Sequence, residues 1–85
     1  MTRTDAIRKE ILFQLFACRP VPLTASTIHK SCRKERLDFS ETEIKREFVF
    51  LHDDGLIKPE AERGSAEEPY RITAEGVRVY ETKYA

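Results

Sequence analysis

The sequence predicts a mainly α-helical protein with one small β-hairpin, in the order helix, short strand, helix, helix, two-stranded hairpin, helix. Three observations lead there. The stretch Ser40-Glu-Thr-Glu-Ile-Lys-Arg-Glu-Phe-Val-Phe-Leu-His-Asp-Asp-Gly-Leu-Ile57 carries a signal at both ends of a helix. Ser40 is an N-cap, Glu43 three residues on can close a capping box, and Gly55 supplies the left-handed residue that ends the helix. Apolar residues recur at helical spacing in three other stretches, and two short extended segments flank a polar, turn-rich run at 60–69.

The first helix spans about 5–18, with Thr4 or Asp5 as its cap. Ile7, Ile11, Leu12, Leu15, Phe16 and Cys18 cover more than half of its circumference, and Phe13 adds an apolar residue outside that stripe. Pro20 and Pro22 end it, leaving room at Val21–Leu23 for a very short edge strand. Thr24 caps a second helix, about 25–36, which turns Ala25, Ile28 and Cys32 inward and Lys30, Arg33, Lys34 and Arg36 outward. Leu37 and Phe39 plug the core before the third helix, about 41–54, whose apolar face is Ile44, Phe48 and Leu51. The hairpin occupies about 56–73, with its strands at Leu56–Pro59 and Tyr70–Thr73 and a loose tip between them. Thr73 caps a last helix, 74–83, where Val77, Tyr80 and Tyr84 must dock on something apolar.

Eighty-five residues, 40% apolar and 35% charged, fit one globular domain over 1–85. No apolar run is long enough to span a membrane, and the charged N-terminal residues do not form a signal peptide, so a cytoplasmic location is expected. The net charge is zero but unevenly spread. Residues 1–36 hold eight Lys/Arg against three Asp/Glu, and residues 37–85 hold seven against twelve. Such segregation gives either an ordinary solvated surface or one basic and one acidic face.

Helix, strand, helix, helix, hairpin, helix is the winged helix-turn-helix order, with the capped helix and its Gly-Leu-Ile exit at the junction into the wing. Leu23-Thr-Ala-Ser-Thr-Ile-His-Lys resembles the start of helix two in bacterial winged-helix regulators, and Tyr70-Arg-Ile-Thr-Ala-Glu-Gly-Val resembles their junction into the last helix. Over about residues 7–73 the chain is similar to the DNA-binding domain of ferric-uptake-regulator proteins, and also to MarR-like and PadR-like regulators. The resemblance implies a double-stranded DNA partner and a homodimer. At positions where the regulators often carry a DNA-contacting Thr and Tyr, this chain has Glu43 and Lys45; only Arg46 carries over intact.

In that reading the third helix enters the major groove. Thr42, Lys45 and Arg46 are its candidate contacts, with Arg63 at the hairpin tip and Lys30, Arg33 and Lys34 on phosphates. Glu41, Glu43 and Glu47 on the same helix repel phosphate unless turned away, and the wing is acidic. The alternative is a winged-helix module that binds protein through Val49, Phe50 and that acidic wing. Helix one and the C-terminal helix are the expected homodimer surface. Cys18 and Cys32 lie on apolar faces as buried thiols, and with His29 and His52 they are not expected to bind metal. No phosphate loop or partnered nucleophile is present, so neither cofactor nor enzymatic activity is expected.

Overall fold

Each of the four α-helices among the described residues starts on a hydroxyl. In the computed structural model, which describes residues 1–60 and 67–84, Thr2, Thr24, Ser40 and Thr73 accept hydrogen bonds from the backbone N–H groups of Asp5, Thr27, Glu43 and Gly76. The helices are α1 (Arg3–Ala17), α2 (Ala25–Lys34), α3 (Glu41–Asp53) and α4 (Ala74–Val79), which continues into a wider π-helical turn at Tyr80–Tyr84. At Ser40 the capping box closes on both sides: its N–H donates to Glu43 Oε1 at 3.0 Å while its hydroxyl accepts from Glu43 N at 3.1 Å. The cap of α1 is Thr2, earlier than Thr4 or Asp5. The apolar periodicity begins only at Ile7, so the polar first turn left no mark in the pattern.

Two helices end in the same motif with different residues. Behind α3, Gly55 adopts φ +78° and the N–H groups of Leu56 and Gly55 return to the carbonyls of Leu51 and His52, both at 3.0 Å. Behind α2, Arg36 adopts φ +61° and the N–H groups of Leu37 and Arg36 return to Cys32 and Arg33 at 2.8 and 3.1 Å. The left-handed residue at 36 is why α2 stops at Lys34, two residues short of the expected end.

Strands β1 (Ile57–Pro59) and β2 (Tyr70–Ile72) pair antiparallel, with Ile57 opposite Ile72 and Lys58 opposite Arg71. Leu23 adds a single bridge to Tyr70, bonded in both directions at 2.8 and 2.9 Å, which ties the α1–α2 connection to the hairpin. The core lies between α1, α2, α3 and the inner face of the hairpin. Ile7, Ile11, Leu12 and Leu15 meet Ala25, Ile28 and Cys32 on one side and Ile44, Phe48, Leu51, Leu56, Ile57 and Ile72 on the other. Val77, Tyr80 and Tyr84 pack against its edge, as do Leu37 and Phe39. Gly76 fixes how closely α4 approaches: a Cβ there would lie 2.1 Å from the Leu56 carbonyl oxygen.

The two helix ends should respond to mutation with opposite sign. Gly55→Ala should cost about 1–2 kcal/mol, because an L-residue is strained in the left-handed region. Arg36→Gly should relieve that strain and stabilise by about 0.5–1 kcal/mol net of glycine's extra unfolded-state entropy. Urea unfolding of both variants checks the pair, and equal signs would contradict the shared motif.

Candidate nucleic-acid interface

The exposed side of α3 is decided by what its neighbours cover. Ile44, Phe48 and Leu51 face the core, so Thr42, Arg46 and Val49, at spacings of four and three, form the centre of the outward stripe. Lys45 flanks it on one side and Phe50 on the other. Val49 is 61% exposed and Phe50 43%, against 4% for Phe48.

The three glutamates of this helix are each tied down, while Asp53 at its end is exposed. Glu43 faces α1, where Arg3 grips both its oxygens at 2.8 and 3.0 Å and also reaches Asp38. The Arg3 guanidinium, together with the Ser40 backbone N–H, holds the Glu43 carboxyl at about 2, well below its ordinary 4.5. Glu47 is buried. Its Oε1 accepts from Arg8 Nε at 2.8 Å and its Oε2 from Arg46 Nε at 3.4 Å, and the Arg8 guanidinium lies over the Phe50 ring, 3.4 Å from the centroid. Glu41, nearest the outward side, pairs with Lys45 at 3.1 Å and lies 3.8 Å from His29 Nδ1; Lys45 is the main reason its carboxyl is lowered. Two of the three glutamates are therefore turned away from the outward stripe and the third is neutralised beside it.

Lys30, Arg33 and Lys34 on α2, and Arg36 just after it, are exposed and make no ion pair with any described residue. Ser26 and His29 face Glu41 on α3, and Lys30 and Arg33 follow them one helical turn later, so this positive row starts beside the N-terminus of α3. The hairpin contributes less positive charge. Arg71 pairs with Glu60 at 3.5 Å, and Glu67 accepts from Ser26 N at 3.1 Å and from its hydroxyl at 2.6 Å, which fastens the returning arm of the hairpin to the start of α2. Between that arm and α3 runs a groove of about 210 Å³ lined by Ala25, Lys45, Phe48, Val49, Glu67, Glu68 and Tyr70. Burial beside Glu68 pushes the Tyr70 phenol up. Arg63 and the expected loose tip lie outside the described residues.

The candidate residues of α2 and α3 are thus exposed on two helices that meet at Ser26, His29 and Glu41. Sequence reasoning missed the partners that hold Glu43 and Glu47 against α1, Arg3 and Arg8, because they stand about forty positions before the carboxylates they hold. It also misplaced Cys18, which is exposed: α1 ends before it, so it leaves the apolar stripe. Cys32 is buried and its thiol is pushed up by that burial and by Glu10. Among the described residues no three His, Cys, Asp or Glu side chains converge as a metal site would require, and no helix is long and apolar enough to cross a membrane.

No family model and no curated protein sequence matches the chain. Two solved structures are similar over 93% of this chain and 77% of their own length. One is a PadR-like transcription factor from Bacteroides fragilis, 22% identical with a TM-score of 0.76; the other is a transcriptional regulator from Clostridium thermocellum, 26% identical with a TM-score of 0.77. The fold is a winged helix-turn-helix: α2 and α3 are the helix-turn-helix pair, and β1 and β2 form the wing.

The Arg3–Glu43 contact has an acid signature. A carboxyl lowered in the folded state contributes stability that is present above its unfolded value, about 4.3, and is lost as pH falls through the folded one. The side-chain NMR titration of Glu43 should therefore have its midpoint near 2. Arg3→Ala should return it towards 4.5, and a wild-type midpoint already near 4.5 would mean the two-oxygen grip is not held in solution.

Proposed function

We propose that this protein is a DNA-binding transcriptional regulator that acts as a homodimer. The observation that carries this reading is the sorting of charge around α3: its three glutamates are turned inward or paired, while Lys30, Arg33 and Lys34 on α2 and Arg36 just after it are exposed and unpaired among the described residues. The two similar structures, both of transcriptional regulators, support it. In this reading α3 lies in the major groove, Thr42 and Arg46 reach base edges, Lys45 touches a phosphate or a guanine, and Lys30, Arg33 and Lys34 hold phosphates. Arg63 in the wing is the candidate for the adjacent minor groove.

The proposed dimer uses α1 and the C-terminal segment. Phe13 is 45% exposed on α1, with its ring 6.3 Å from that of Tyr80, which also stacks at 5.1 Å on Phe16. This aromatic group is a surface a second copy can cover while leaving α3 free, and two copies read two half-sites.

Random-sequence duplex DNA, titrated by fluorescence anisotropy at low and moderate salt, should show binding that weakens steeply as salt rises. Changing Lys30 and Arg33 to Ala should reduce the salt slope by about one unit per lost phosphate contact. Changing Lys45 and Arg46 to Ala should weaken binding strongly. Absence of binding even at low salt would rule the reading out.

Sedimentation at micromolar concentration should give a dimer that Phe13→Glu dissociates and that changes at Val49 or Phe50 leave intact. A dimer broken at Val49 or Phe50 would place the interface on α3, the surface that reading DNA requires.

A further inference from the structure

We propose that Glu47 is a positioning residue for base reading: anchored on Arg8, its buried carboxylate holds Arg46 by the Nε–H and leaves the outer fork of that guanidinium to recognise a guanine. The inference deepens the DNA-binding reading above and rests on it.

Arg46 sits at the centre of the outward stripe, and its side chain is 66% exposed. An exposed arginine ordinarily samples many rotamers. Neighbours i and i+1 on a helix do not face each other, so the 3.4 Å contact from Arg46 Nε to Glu47 Oε2 requires Arg46 to bend back along the helix surface. That selects one orientation. Glu47 can impose it because it is itself fixed: its side chain is 5% exposed, and its other oxygen accepts from Arg8 Nε at 2.8 Å. Arg8 is held in turn by its stacking over Phe50. A pair serving only to join α1 to α3 would need one carboxylate oxygen; here the second oxygen is used on the outward side.

The chemistry of the held group follows. With Nε occupied, Arg46 keeps the Nη1 and Nη2 donors, and this parallel pair matches the O6 and N7 acceptors of guanine in the major groove. Two guanidinium groups share one carboxylate, so the cluster stays net positive and attracts DNA. An arginine already oriented loses less freedom on binding than a free one. Lys45, by contrast, is a single-point cation tied to Glu41 and has no fork to orient.

The test is discrimination rather than affinity alone. Duplexes selected by the wild-type protein from a random library should share a G·C pair, and replacing it with A·T should weaken binding about tenfold. In Glu47→Gln that ratio should fall towards one with the salt slope unchanged, since no phosphate contact is removed. Adding Arg46→Ala should then cost no further discrimination. Circular dichroism confirms folding. If Glu47→Gln does not fold, the Arg46 Nε–H signal of the free wild-type protein decides: it should exchange with water more slowly than that of Arg33. A folded Glu47→Gln with full discrimination, or an Arg46 Nε–H exchanging as fast as that of Arg33, overturns the proposal. Wild-type binding without any G·C preference overturns it alone, whereas no binding to any duplex overturns the DNA-binding reading as well.

Discussion

Glu47 lies inside the protein with 4% of its surface exposed, and Arg8 from another helix reaches it at 2.8 Å. A buried carboxylate is costly unless paired, and removing one partner of such a pair typically costs about 3–5 kcal/mol. The contact therefore says little about total stability and a good deal about geometry. Sliding α3 along α1 would strand a charge, and so would rotating it. Arg3 repeats the arrangement one turn earlier by gripping Glu43 while Glu43 completes the cap at Ser40. Everything that α3 presents outward depends on this phase, because Thr42, Arg46 and Val49 face solvent only while Glu43 and Glu47 face α1.

The same contacts account for the uneven charge along the chain. The basic N-terminal part folds onto the acidic C-terminal part, and Arg3 and Arg8 are consumed by Glu43 and Glu47. The folded protein is not simply bipolar. Unpaired positive charge among the described residues of the first half includes Lys9 and Arg19, and it is densest at Lys30, Arg33, Lys34 and Arg36. A net charge of zero is compatible with a locally positive face when most pairs are internal.

Most of the fold was legible because its signals are local. Ser40 with Glu43, Gly55, Thr24 and Thr73 each mark an element boundary through bonds to residues within four positions, and the core residues repeat at helical spacing. Where the signal was weaker, the reading slipped: the polar first turn of α1 hid Thr2 as the cap, and an arginine at the left-handed position hid the end of α2. The site was legible only in outline. Lys45 and Arg46 are placed outward by periodicity alone, but whether Glu43 and Glu47 oppose a phosphate depends on Arg3 and Arg8, and pairs 40 and 39 residues apart leave no periodic trace. The tether from Glu67 to Ser26 is hidden for the same reason.

Under the proposed function, this division of labour sets how binding energy is obtained. The row on α2 and its exit offers four cations, and each phosphate neutralised by one contributes a salt-dependent, sequence-independent term. The wing adds one cation to that sum on its described arms: Lys58 is exposed and unpaired there, whereas Arg71 is paired with Glu60, and Glu67 and Glu68 stand near the groove. One copy would thus hold DNA through few phosphate contacts, fewer than the six to ten that make a strongly salt-dependent binder. Two copies joined rigidly double the contacts without paying twice for lost translational freedom. A face with modest non-specific attraction also leaves proportionally more of the discrimination to α3, where one oriented arginine and the exposed methyl groups of Val49 have access to base edges. Under that proposal the aromatic surface on α1 and the tethered arginine on α3 serve one requirement, affinity coming from duplication and selectivity from orientation.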